Sequence, residues 1–288
     1  MLGNHLLGIY EKAFDSKQSL PEILYKAKSL GFDYVEISID ETDERLSRLD
    51  WTKAQIEELR RSCYEAGIGF QSMCLSGHRR FPFGSADPKV RARAYDIMGK
   101  AIDFAWQMGI RVIQLAGYDV YYEESTPQSR RRFQEGMRWA AKEAARKQIM
   151  LATEIMDTPF INSISKNQMY EAMLGSPWFH SYPDLGNLSA WPENDVMYEL
   201  TNGIRSIVAV HLKDTIAVTE QSEGIFKKVP FGAGCVDFPA CFKRLEELGY
   251  AGPYMIEMWN EEGIPDSETI MKAVKWLSEK FEEGCARS

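Results

Sequence analysis

Cysteine pairs are missing from this sequence. Its five cysteines, Cys63, Cys74, Cys235, Cys241 and Cys285, are scattered and odd in number, with no C-x-x-C spacing. That excludes a disulfide framework and a thiolate zinc site, and it fits a reducing compartment. An excess of positive charge is lacking too. The net charge is −8 and no long basic stripe occurs, which argues against nucleic acid as the main partner. Small anions stay open as ligands, because one pocket can be basic on an acidic protein. No apolar run approaches membrane-spanning length, and the N-terminus carries neither a charged n-region nor an apolar h-region. No membrane partner is expected, and the cytoplasm is the expected location.

What is present is the composition of a protein with a real core, 44% hydrophobic and 26% charged. One pattern recurs along the chain: an amphipathic helix, a glycine, then a β-rich run. Leu20, Ile23, Leu24, Ala27 and Leu30 lead to Gly31 and a strand over 32–39. Ile56, Leu59, Cys63 and Ala66 lead to Gly67 and a strand over 68–75. Val90 to Met108 leads to Gly109 and 110–116, and Phe238 to Leu248 leads to Gly249 and 254–258. Glycine suits the left-handed conformation that ends a helix. Runs at 6–10, 149–155, 178–182 and 207–212 bring the strands to eight. His180, Ser181 and Pro183 make the sixth the least regular. Eight strand–helix units predict an α/β fold, a (β/α)8 TIM barrel. No linker divides the chain, so one catalytic domain spanning 1–288 is expected.

Four of the runs place a metal-type ligand at or near their C-terminal ends. They read Met150-Leu151-Ala152-Thr153-Glu154, Phe179-His180-Ser181-Tyr182-Pro183-Asp184, Ile207-Val208-Ala209-Val210-His211 and Tyr254-Met255-Ile256-Glu257. Strand ends facing one way in a parallel barrel converge, and barrel enzymes carry their sites there. Three carboxylates and one imidazole would hold one divalent cation (Mn, Co, Zn or Mg) with positions left for substrate oxygens. Of the other histidines, His5 and His180 read as structural, while His78 sits in a loop with Arg79 and Arg80.

These residues resemble a known family, the L-ribulose-5-phosphate 3-epimerases (L-xylulose-5-phosphate 3-epimerases) of bacterial L-ascorbate breakdown, in the xylose-isomerase-like barrel superfamily. The similarity runs over nearly the whole length. It includes Gly8-Ile9-Tyr10-Glu11-Lys12, Asp40 to Leu46, Ser72 to Leu75 with His78 to Phe81, and Ile113 to Asp119. It continues through Glu154 to Asp157, Tyr182-Pro183-Asp184 with Gly186 to Trp191, Val208 to His211, Pro230-Phe231-Gly232 with Gly234, and Ile256 to Trp259. The resemblance implies that Glu154, Asp184, His211 and Glu257 are the metal ligands and that the two glutamates are the acid/base pair. Related free-ketose epimerases carry a histidine three residues after the ligand aspartate. Here that position is Asn187, which is compatible with a phosphorylated pentulose.

Epimerising carbon 3 of a 2-ketose removes a proton α to a carbonyl and returns it from the other face. That calls for Lewis-acid stabilisation of an enediolate and for two carboxylates able to exchange roles. A phosphorylated substrate also needs cations. Lys227 and Lys228, in a glycine-containing loop after strand seven, are one candidate set; His78, Arg79 and Arg80 after strand three are the other. Arg91, Arg93 and Arg130 to Arg132 lie on helices and read as solvated. Trp191, Trp259 and Tyr118 are candidates to wall off the sugar. A sugar isomerase and a free-ketose epimerase on the same barrel are the alternatives. A multi-zinc DNA-repair endonuclease fits poorly with four histidines. The expected partner is a small sugar phosphate, and a homo-oligomer, a dimer first, is the expected assembly.

Overall fold

Apolar strands alternating with amphipathic helices can bury both faces of a parallel sheet in few ways, and this chain closes the sheet on itself. A computed structural model describes residues 2–286. Its strands are β1 (Leu7–Tyr10), β2 (Tyr34–Ile39), β3 (Gly69–Leu75), β4 (Val112–Ala116), β5 (Met150–Glu154), β6 (Phe179–Tyr182), β7 (Val210–Leu212), β8 (Asp214–Ile216), β9 (Ile225–Val229) and β10 (Tyr254–Ile256). Eight of them pair in parallel in the order β6-β5-β4-β3-β2-β1-β10-β7. Parallel bridges from Ser181 to Ile207 and from Asp184 to His211 bring β6 against β7 and close the ring. The predicted barrel is the observed one.

The helices between strands are α1 (Leu20–Ser29), α2 (Asp43–Leu46), α3 (Lys53–Ala66), α4 (Pro88–Met108), α5 (Pro127–Lys147), α6 (Ile164–Leu174), α7 (Leu185–Ser189), α8 (Val196–Gly203), α9 (Phe238–Glu247) and α10 (Asp266–Cys285). Ser19 and Thr52 start α1 and α3 with capping boxes that satisfy otherwise orphaned N–H groups. Gly67 and Gly109 end α3 and α4 at φ of 64° and 75°, the left-handed turn a side chain would resist. None of the helices among the described residues is long and apolar enough to cross a membrane.

Period-two alternation sorts each strand's side chains between two environments. On β2, Val35, Ile37 and Ile39 join the main core under the helices. Tyr34, Glu36 and Ser38 point into the barrel, where Tyr10, Tyr34, Cys74 and Met255 pack together. Gly8 is required by that packing. A Cβ there would lie 2.2 Å from the buried Tyr34 ring.

Two expectations change. The seventh strand is shorter than 207–212, because its start meets β6 only through an isolated bridge. The stretch after it is not an open loop. β8 and β9 pair as an antiparallel hairpin, and β9 carries Lys227 and Lys228.

Candidate active site

At the C-terminal mouth of the barrel, Glu154 ends β5, Asp184 follows β6, His211 lies in β7 and Glu257 follows β10. One ligand-type atom from each lies within 4.8 Å of all the others, and all four residues are buried. His211 Nδ1 is 3.5 Å from Glu154, 3.8 Å from Glu257 and 3.9 Å from Asp184. Neither His211 Nδ1 nor Asp184 Oδ2 has a hydrogen-bond partner. Buried polar atoms without partners need an explanation, and hard donors converging on one point fit a divalent cation.

Neighbours fix each donor. The Gln114 amide donates to Glu154 Oε2. The Asn187 backbone N–H, in the first turn of α7, donates to Asp184 Oδ1 at 2.6 Å. The Lys213 ammonium donates to Glu257 Oε2 at 2.9 Å and lies 3.5 Å from Asp184 Oδ2. Burial acts first on every carboxyl here. At Glu154 it raises the pKa, reinforced by the charge of Glu257. At Asp184 it pushes the value up to about 7 against the attraction of Lys213. At Glu257 burial is outweighed by Lys213 and then His211, so this carboxyl stays below its usual range. Burial would lower His211, but Glu36 and then Glu154 hold it well above the ordinary imidazole value.

A cavity of about 60 Å³ opens beside the cluster, bounded by Tyr10, Cys74, Arg79, Asn187, Lys227 and Trp259 among others. It shares Lys12 and Trp259 with an outer cleft of about 950 Å³. The β8–β9 hairpin forms one wall. Its base is clamped by Asp214, whose carboxylate accepts from the N–H groups of Gly232 and Gly234, both at 2.9 Å.

Residues 24–280 match the xylose isomerase-like TIM barrel family model. The chain is 58% identical over 280 residues to a putative L-ribulose-5-phosphate 3-epimerase, SgbU, of Escherichia coli K12, covering 97% of this chain and 98% of that one. It is 54% identical over 275 residues to the L-ribulose-5-phosphate 3-epimerase UlaE of the Escherichia coli Crooks strain, covering 96% and 94%. The chain belongs to the L-ribulose-5-phosphate 3-epimerase family. More distant chains share the barrel. An L-ribulose 3-epimerase structure superposes with a TM-score of 0.78 at 19% identity, covering 98% of this chain and 96% of that one. The IOLI protein with a bound zinc atom gives 0.77 at 15% identity, covering 96% and 98%.

On this epimerase-family barrel the predicted residues sort as follows. Glu154, Asp184, His211 and Glu257 come together. Asn187 joins them, its amide donating to Ile155 O at 2.8 Å and to Glu154 Oε1 at 3.4 Å. Arg79 and Lys227 reach the cavity, Arg79 lying over the Tyr121 ring at 4.8 Å.

Three candidates do not reach it. His78 turns the other way, stacks on Phe83 at 4.9 Å and bonds through Nε2 to Ala94 O at 3.1 Å. Arg80 is exposed and paired with Asp43 at 2.7 Å. Lys228, at φ 58°, lines the outer cleft instead. The reason is alike in each case. Adjacent residues in a strand or tight turn point to different sides, so Arg79 and Lys227 exclude their neighbours.

The helix-borne arginines are not all free in solvent. Arg91 and Arg132 donate to carbonyls of the loop after β3. Trp259 walls the cavity, whereas Trp191 donates to Met156 O at 3.2 Å and packs on Phe226. Tyr118 bonds to Asp157, which also lines the cavity.

Sequence reading missed Lys213, Glu36 and Gln114. A signal existed for Lys213: two residues beyond His211, it continues the same inward alternation.

Proposed function

We propose that this chain interconverts L-ribulose 5-phosphate and L-xylulose 5-phosphate at carbon 3, with Glu154 and Glu257 as the acid/base pair. Glu154, Asp184, His211 and Glu257 hold one divalent ion. The observation that carries the reading is the burial of two glutamates around one point with an aspartate and a histidine. When bound, the ion supplies Lewis-acid stabilisation for the negative charge that develops on the substrate oxygens.

The protein's own groups do the rest. β5 and β10 are three strands apart around the ring, so their glutamates flank a substrate seated between them. One carboxylate takes the proton from carbon 3 on one face, and the other returns a proton on the opposite face. Gln114 and Lys213 each engage one carboxylate oxygen and so orient the other. Trp259 and Tyr10 border the cavity and keep bulk water from the reacting carbon.

Arg79 and Lys227 are the cations that receive the phosphate. Arg79 Nε has no hydrogen-bond partner and its guanidinium is only loosely paired, 4.0 Å from Glu41, whereas Lys12 of the outer cleft is taken up by Asp40 at 2.6 Å. A guanidinium and an ammonium at one rim suit a phosphate dianion.

The decisive experiment follows L-ribulose 5-phosphate in deuterated water with metal counted in every sample. Epimerisation with deuterium entering at carbon 3 is expected. Glu154→Gln and Glu257→Gln should each lose at least about two orders of magnitude in net turnover. Either variant turning over normally with its ion bound would overturn the two-base reading. Arg79→Met should lose far more activity on the phosphate than on free L-ribulose; equal losses would move the phosphate elsewhere.

A further inference from the structure

We infer that Glu36 is a positioning residue for the ion site, fixing which nitrogen of His211 faces the donor cluster. The inference rests on the ion-binding reading above. Glu36 comes from β2, which supplies none of the four clustered donors, and it is fully shut off from solvent. Strand alternation sends its carboxylate across the barrel interior to β7. There Oε1 lies 3.1 Å from His211 Nε2, and Oε2 accepts from the Tyr182 hydroxyl at 3.2 Å. The Tyr182 ring meets the imidazole at a steep angle with centroids 4.4 Å apart. One tyrosine therefore steadies both members of the pair.

A carboxylate oxygen accepts and a ring N–H donates, and Oε2 already accepts from Tyr182, so the geometry assigns the hydrogen in this contact to Nε2. When the ring serves as a ligand its lone pair is then on Nδ1, the nitrogen that faces Glu154, Asp184 and Glu257 and has no hydrogen-bond partner. Packing alone does not account for Glu36, since an uncharged side chain of the same size fills the space without a buried charge. Among the described residues, no lysine or arginine forms an ion pair with it; His211 does. A negative charge behind a ligating imidazole both orients the ring and strengthens it as a donor.

The test uses the full chain, chelator competition for zinc, and nitrogen-15 histidine spectra, which four histidines keep simple. Wild type should bind one zinc, with a hydrogen on His211 Nε2 shifted far downfield by the carboxylate. Glu36→Gln preserves the volume and should weaken zinc binding by roughly 10- to 100-fold. In that variant the Nε2 hydrogen should move upfield while the melting temperature of the zinc-free protein holds. Tyr182→Phe leaves the Glu36–His211 contact in place and should cost only a few-fold, which also covers the case of a poorly folding Glu36→Gln. Unchanged zinc affinity in Glu36→Gln, or a wild-type spectrum with no hydrogen on Nε2, would overturn the role of Glu36 alone. A wild type that binds none of zinc, manganese, cobalt or magnesium would remove the ion reading itself.

Discussion

A lysine ammonium enclosed between two carboxylates depends on both of them, and they depend on it. Lys213 is 5% exposed, and Glu257 and Asp184 share its charge. Lys213→Met would leave two buried carboxyls without that partner. Breaking such a pair costs about 3–5 kcal/mol, so thermal denaturation without added metal should show a large drop in midpoint. Turnover should also fall by roughly two orders of magnitude with the ion restored, because Glu257 loses the group that orients it. A folded Lys213→Met with normal turnover would remove that role. The four clustered donors were legible because each closes an apolar run, and a polar residue at a strand end stands out. Lys213 was not, because the strand's inward alternation outlasts its apolar signal. Glu36 sits in mid-strand, and its meaning depends on a partner 175 positions away.

At the scale of elements, the loop after β3 is tied to α4 by a histidine that cannot afford a charge. Burial brings the His78 pKa down to about 4, with the Ala94 carbonyl only partly opposing it. The unfolded chain, with an imidazole near 6.5, binds the proton more readily than the folded one. Stability is therefore intact above pH 6.5, falls as pH drops, and has lost on the order of 3 kcal/mol by pH 4 from this group. Denaturant midpoints for wild type and His78→Gln should converge as pH falls through that window; parallel curves would clear His78 of the effect. All eight barrel strands were legible from their flanking glycines and apolar runs. The β8–β9 hairpin was not. β9 is largely exposed along its length, so it shows no buried alternation to read, and its two lysines look like loop charge.

Across the whole molecule, the ring is not equally strong all the way round. β2 and β3 share six register pairs, whereas β6 and β7 meet through two isolated bridges, one of them joining Asp184 to His211. Two residues of the proposed ion site thus lie on either side of the thinnest seam, and an ion held between them is a latch on the hoop. Any opening there releases the ion, so at a hundredfold excess over its dissociation constant the latch adds about 2.7 kcal/mol against opening. Amide hydrogen exchange should report it. Without metal, the N–H groups of Ser181, Val208 and His211, which bond across the seam, should exchange faster than those between β2 and β3. With metal they should slow by up to roughly a hundredfold. Seam amides that exchange equally fast in both states would show that nothing latches there. If the proposed ion binds there, a barrel fastened in this way would couple its cofactor to its mechanics, and a chain stripped of the metal would open its wall at this seam more often than anywhere else on the ring.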